Sequence, residues 1–129
     1  MGAGDVMSAR EVLTRYYRYA NSGRWDRWCE LFADTMVMDE QLAGRIEGRD
    51  KLRSMMTGMG ELYASFENNP LHVVVDGDQA AVVSRITARS ASGKPIEAAV
   101  MNYFRIENGL ITYMANYHDT LPFQVLSQS

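Results

Sequence analysis

From Leu71 to His118 the chain reads as strands punctuated by turns, and no other stretch does more to limit the folds open to it. Runs rich in Val, Ile, Tyr and Phe are separated by "DGD" at 76–78, "SGK" at 92–94 and "ENG" at 107–109. Short glycine-bearing turns of this kind join antiparallel neighbours. The pattern predicts four consecutive antiparallel strands near 71–76, 79–90, 95–106 and 110–118.

Before Leu71 the apolar period is mostly helical. "SARE" at 8–11 is a capping box: Ser8 can accept from the backbone N–H of Glu11, whose carboxylate can reach back to Ser8. Val12, Leu13, Tyr16, Tyr17 and Ala20 then recur at spacings of three and four, and Gly23 is placed to end the helix. Trp25, Trp28, Leu31 and Phe32 repeat that period over a shorter second helix. "MVMD" at 36–39 reads as a short strand, and helical spacing resumes from Gly48 through Leu52, Met55, Met56, Met59 and Tyr63. Gly58 and Gly60 weaken or shorten this third helix, because each costs roughly 1 kcal/mol relative to Ala in a helix interior. The methionines suit core filling, with a cofactor box as the alternative. Helices segregated from antiparallel strands define an α+β domain whose helices cover one face of a curved sheet. At 129 residues, one domain over 1–129 is expected, with its core at 8–123 and short flexible termini.

A formal net charge of −3 leaves no basic footprint for nucleic acid. Arg10, Arg15 and Arg18 read as the solvated rim of the first helix. Cys29 is the only cysteine, so no intrachain disulfide can form, and it reads as a packing residue. The N-terminus lacks an apolar leader region, no segment approaches the roughly 18 apolar residues of a membrane span, and a cytoplasmic protein is expected. The opening "MG" has Val6 where an N-acylation signal wants Ser or Thr. "GAGDVM" lacks the features of a phosphate loop. His72, expected to be exposed, and His118 are isolated from Cys and from clustered acids, so neither a metal nor another cofactor is expected.

The element order, with "YYRYANSGRWDRWCELFAD" at 16–34, "IEGRDKLRSMM" at 46–56 and "YFRIENGLITYMANYHDTLPF" at 103–123, resembles the nuclear transport factor 2-like superfamily. It is similar in particular to its SnoaL-like branch, whose relatives include ketosteroid isomerase, polyketide cyclases and limonene epoxide hydrolase. The resemblance runs from Ser8 to Phe123. It implies a cystatin-like cone, in which a curved antiparallel sheet packs on three N-terminal helices around a deep apolar pocket. Several members of the superfamily have no catalytic activity.

Laid over ketosteroid isomerase, Tyr16 falls on that enzyme's first-helix Tyr, and Asp39, or Glu40 with a one-residue shift, falls near its base. Asn102 falls on its protonated Asp. An amide can donate to an oxyanion but lacks the acidity of a neutral carboxylic acid, which argues against steroid isomerisation itself. Laid over limonene epoxide hydrolase, Arg85 matches an Arg-x-Asp run, but Thr87 and Asn116 stand where its two acids are. That argues against epoxide opening by the same triad.

Strand alternation sorts the rest. Thr112, Met114, Asn116 and His118 share one face, and Ile111, Tyr113, Ala115, Tyr117 and Asp119 the other. On the neighbouring strand Ala98, Val100, Asn102 and Phe104 oppose Ala99, Met101 and Tyr103. A face of apolar walls with a few amides and a histidine suits a ligand pocket. Pattern alone also permits the reverse assignment; the family resemblance favours this one. The wholly apolar face then needs a cover, and a symmetric homodimer through the sheet would supply it.

Asp39 and His118 are therefore candidate acid–base groups, with Tyr16 and Asn102 as candidate oxyanion donors. Arg85, Asn116, Met114, Trp28, Met55, Met59 and Phe104 are candidates to contact the substrate. Because neighbours on a strand point to opposite faces, His118 and Asp119 do not form a dyad, and Asp39 is the partner to expect for His118. Asp119 and Thr120 begin the turn that Pro122 enforces. The expected activity is cofactor-independent proton transfer on a small apolar carbonyl or hydroxyl compound, polyketide- or terpenoid-like, by isomerisation, cyclisation or dehydration through an enolate. The alternative is a non-catalytic ligand-binding or assembly module with the same pocket.

Overall fold

The computed structural model describes residues 6–127; most of the glycine-rich start, on which the acylation and phosphate-loop readings fall, lies outside them. Helix α1 (Ala9–Asn21) opens on the capping box, with Ser8 N–H donating to Glu11 Oε1 at 3.1 Å and Glu11 N–H to Ser8 Oγ at 3.2 Å. It buries Val12, Leu13, Tyr16, Tyr17 and Ala20, and full burial of a large apolar side chain stabilises by about 1.5–3 kcal/mol. The second helix, α2 (Trp25–Cys29), is shorter than its apolar period suggests. Phe32 instead begins strand β1 (Phe32–Glu40), opposite Ile111, and both are fully buried.

Strand β2 (Gly44–Glu47) turns back on β1. Helices α3 (Arg49–Met56) and α4 (Met59–Leu62) divide what the periodicity reads as one helix. The break falls at Thr57 and Gly58, next to the glycines whose helix cost predicted it. Strand β3 (Tyr63–Asp76) then starts eight residues before the predicted strand. Asn68, Asn69 and Pro70 disguise it, since these residues are poor in strands. Pro70 is tolerated because β3 is an edge strand with a register shift at that point.

The predicted hairpins follow as β4 (Gln79–Ser90), β5 (Pro95–Glu107) and β6 (Leu110–His118). The turn joining β5 to β6 places Asn108 and Gly109 at φ of 52° and 75°, the left-handed pair that an Asn-Gly hairpin requires. The six strands form one sheet in the order β2-β1-β6-β5-β4-β3, antiparallel except for the β1–β6 pair. A 3-10 helix (Leu121–Ser127) ends the described chain and buries Phe123 against the sheet.

The sheet buries Ile96, Ala98, Val100, Asn102, Phe104 and Ile106 of β5 on the helix side and exposes Glu97, Ala99 and Met101 on the other. The mixed face is thus the concave one. One side chain departs from simple alternation: Tyr113 pairs with Arg105 but Ile111 with Ile106, so Thr112 is an extra, bulged residue. Ile111 is consequently turned into the core rather than sharing the face of Tyr113. The convex face exposes Met101 and Tyr117, where the expected dimer would form. No helix among the described residues is long and apolar enough to cross a membrane.

Candidate active site

A cavity of ≈ 280 Å³ lies between the concave face and the helices. Its wall includes a series of rings in contact: Tyr63 with Phe66, Phe66 with Trp25, Trp25 with Trp28, and Trp28 with Tyr16, at centroid separations of 5.2, 5.7, 5.4 and 5.4 Å. Leu42, Met55 and Leu62 border it while remaining exposed, and so mark its opening. Glu40, His118, Tyr16, Asn68, Asn102 and Asn116 place polar groups in this otherwise apolar surface.

Glu40 and His118 are in direct contact. His118 Nε2 lies 2.8 Å from Glu40 Oε2, and His118 Nδ1 lies 2.8 Å from the Asp119 carbonyl oxygen. A carbonyl only accepts, so Nδ1 carries a proton. A neutral ring would then turn a bare Nε2 lone pair toward the carboxylate. The contact therefore needs a further proton, which makes it an imidazolium–carboxylate pair or a neutral imidazole facing a protonated Glu40.

The surroundings favour the ion pair. Burial would raise the Glu40 carboxyl, but the His118 ring and the backbone N–H groups of Ala43 and Leu42 outweigh it and hold it below its ordinary value. Those N–H groups donate to Oε1 at 3.0 and 2.7 Å. The hydrogen bond to Glu40 raises His118, against an opposing effect of burial. Phe123 packs on the imidazole at a centroid separation of 4.8 Å, leaving its side chain 3% exposed. Both His118 nitrogens are committed, so His118 has no free site for a substrate proton. Glu40 uses three of its roughly four lone-pair positions and keeps one on Oε2.

A second set of polar groups runs along the sheet. Tyr17 OH donates to Asn102 Oδ1 at 2.9 Å, Ser84 Oγ donates to the same oxygen at 3.3 Å, and Asn102 Nδ2 donates to Asn116 Oδ1 at 2.7 Å. These bonds orient Asn116 so that its Nδ2 meets only the Met38 sulfur, at 3.9 Å. A thioether is a weak acceptor, which leaves the Asn116 amide able to donate to a ligand oxygen. Burial and then the Glu40 charge push the Tyr16 hydroxyl well above the usual tyrosine range. Tyr16 therefore stays protonated as a second donor.

The structure brings His118, Tyr16, Asn102, Asn116, Trp28, Met55 and Met59 to the cavity. It places four other candidates elsewhere. Asp39 pairs with Ala115 across β1 and β6 and turns away from the cavity. Its carboxylate accepts from Arg45 Nε and Nη2 at 2.8 and 2.9 Å and from Tyr113 OH at 2.6 Å, and these partners, Arg45 foremost, hold it down to about 2. Arg85 is exposed and bonded to Glu97 at 2.9 Å. Met114 and Phe104 are fully buried core residues that do not border the cavity. The partner of His118 is thus Glu40, and the expectation that Asp39 faces the cavity is corrected.

Glu40 could have been found by alternation, since Met36 and Met38 are buried and Glu40 continues their set. Tyr63, Phe66 and Asn68 were missed because the first half of β3 carried no strand signal. Among the described residues no group of three or more His, Cys, Asp or Glu could hold a metal ion.

A curled six-stranded sheet closed by N-terminal helices around such a cavity defines the nuclear transport factor 2-like class of α+β proteins. Residues 13–114 match the SnoaL-like domain model, and the chain belongs to that family. Solved structures share the fold. A proposed polyketide cyclase from Xanthomonas campestris pv. campestris is 20% identical with a TM-score of 0.80, covering 89% of this chain and 93% of that one. TerC, co-crystallised with polyporic acid, is 15% identical with a TM-score of 0.80, covering 92% and 97%. A protein with a ketosteroid isomerase-like fold from Catenulispora acidiphila, in complex with trimethylamine, is 13% identical with a TM-score of 0.77, covering 85% and 86%. No curated protein sequence matches the chain.

Proposed function

We propose that this protein is a cofactor-independent acid–base enzyme that enolises a small, largely apolar carbonyl compound. The supporting observation is that Glu40, oriented by His118 and by two backbone N–H groups, borders an apolar, aromatic-walled cavity. In this reading the free lone pair of Glu40 Oε2 takes the proton from the carbon next to the carbonyl. The C–H electron pair becomes the enolate double bond, and negative charge moves to the carbonyl oxygen. Tyr16 OH and Asn116 Nδ2–H would donate to that oxygen, which costs little reorganisation because both are already held. Return of the proton at another carbon is isomerisation, attack of the enolate on a second carbonyl is cyclisation, and loss of a β-hydroxyl is dehydration. His118 acts through Glu40, as a cation that holds and tunes the base.

The test is exchange of the α-protons of 2-tetralone in D₂O, followed by proton NMR. The expected result is exchange faster than in buffer, reduced by about 10² to 10⁴ in Glu40→Gln, the range typical of a positioned base. Unchanged exchange in that variant would overturn the assignment.

One observation favours a second reading, a ligand-binding module without chemistry. The same hydrogen bonds that orient Glu40 also hold its carboxyl below the ordinary value, which weakens it as a base. Tight binding of 2-tetralone with no accelerated exchange would select that reading.

A further inference from the structure

The wall formed by β3 contains a polar group that the proton-transfer scheme does not use. Asn68 borders the cavity, is 5% exposed, and its Oδ1 is buried without a hydrogen-bond partner. A buried amide oxygen without a partner is costly, and one that borders a cavity is placed to accept from a molecule bound there.

The surrounding structure holds this residue in place. Asn68 lies on the edge strand, where it pairs in register with Ile86, and its outward backbone groups have no further strand to bond. The side chain of Asn21, at the end of α1, takes the place of that strand: Asn21 Oδ1 accepts from Asn68 N–H at 2.7 Å and Asn21 Nδ2 donates to Asn68 C=O at 3.0 Å. The backbone of Asn68 is thereby clamped to the first helix while its Oδ1 stays without a partner.

Asn68 stands on β3 and His118 on β6, with β5 and β4 between them. Three strand spacings separate them, roughly 14 Å along the sheet. The two polar groups therefore sit at separate parts of the cavity, with Trp25 and Phe66 beside Asn68 in the lining.

We infer that Asn68 is a second binding subsite, which takes a ligand hydroxyl while the aromatic body of the ligand lies along Trp25 and Phe66 and another oxygen function reaches the polar groups at the Glu40 end of the cavity. A hydroxyl suits the site because it both donates and accepts, and a carboxamide can meet it with either end after a half-turn of its terminal torsion. The ligand class is a flat, apolar molecule with oxygen at both ends. This rests on the cavity being the ligand site, but not on the chemistry performed there.

The test compares 2,6-dihydroxynaphthalene with 2-naphthol, which lacks the second hydroxyl. Binding is followed by fluorescence, and the Asn68 side-chain amide signals by NMR in ¹⁵N-labelled protein. The wild type should prefer the dihydroxy probe about fivefold, the value of one net hydrogen bond, and that probe alone should shift the Asn68 amide signals. In Asn68→Leu the preference should vanish while 2-naphthol binds as before, and the melting temperature should hold or rise because the unpaired amide is gone. Equal affinities in the wild type, amide signals that neither probe moves, or a preference that survives in Asn68→Leu would each overturn the subsite. Glu40→Gln should keep the preference while losing proton exchange, which separates failure of this inference from failure of the catalytic reading.

Discussion

His118 Nε2 lies 2.8 Å from Glu40 Oε2 although the two residues are 78 positions apart in the chain. The parallel pairing of β1 with β6 brings them together, and their ion pair should shape stability as a function of pH. His118 is raised above its ordinary 6.5, so its contribution is complete below about 6.5 and is lost as pH rises through the raised value. Glu40 is held below its ordinary 4.5, so its contribution is complete above about 4.5 and is lost as pH falls through the lowered value. Between those limits His118→Ala should cost about 3 kcal/mol, since it leaves a largely buried carboxylate unpaired. Urea denaturation at several pH values should find that cost greatest near pH 5.5 and shrinking in alkaline solution.

Asp39 offers the matching control. Its carboxylate is exposed, bonded to Arg45 and Tyr113, and turned away from the cavity. Asp39→Asn should leave 2-tetralone exchange within about twofold of wild type, against the loss of about 10² or more expected for Glu40→Gln. Equal losses in the two variants would restore Asp39 to the site.

The buried amide chain should be graded in its response. Tyr17→Phe removes one donor from Asn102 Oδ1, which keeps Ser84, and should cost about 1 kcal/mol. Asn102→Leu strands Tyr17 OH, Ser84 Oγ and Asn116 Oδ1 together and should cost about 2–3 kcal/mol. Shifts in the urea midpoint at constant m-value would measure both.

Phe104 and Met55, alike as sequence candidates for substrate contact, should behave oppositely. Phe104 is fully buried and packs edge-on against Tyr16 at a centroid separation of 5.1 Å, so Phe104→Ala should cost about 3–5 kcal/mol. Met55 is 42% exposed at the cavity opening, and Met55→Ala should change stability by less than about 1 kcal/mol. It should instead weaken 2-naphthol binding severalfold. Parallel denaturation and fluorescence titration would separate the two roles.

Much of the fold was legible because its signals are local. The capping box at Ser8 and Glu11, the stripe from Val12 to Ala20 and the three glycine turns each depend on residues a few positions apart. The last three strands fall where alternation and turn residues place them. Alternation also put Asn102, Asn116 and His118 on one face, and the Asp119 carboxylate accepts from Leu121 N–H at 2.9 Å, as expected of a turn opening at that residue.

Elements without a strong local signal went unread. β2 is four residues long, and the first half of β3 is held by pairing with β4 in spite of Asn68, Asn69 and Pro70. The bulge at Thr112, which turns Ile111 inward, depends on how β5 and β6 align and leaves no mark in the alternation itself.

By itself, then, the sequence determined that an α+β domain would form and that the amides and His118 would share one face of the meander, because side-chain period and turn chemistry act between near neighbours. Only the tertiary structure decided which acid meets that histidine. Asp39 and Glu40 are adjacent and equally able to ionise. The register of β1 against β6 turns Asp39 out to Arg45 and Tyr113 and Glu40 in to His118, because successive residues of a paired strand must face opposite ways.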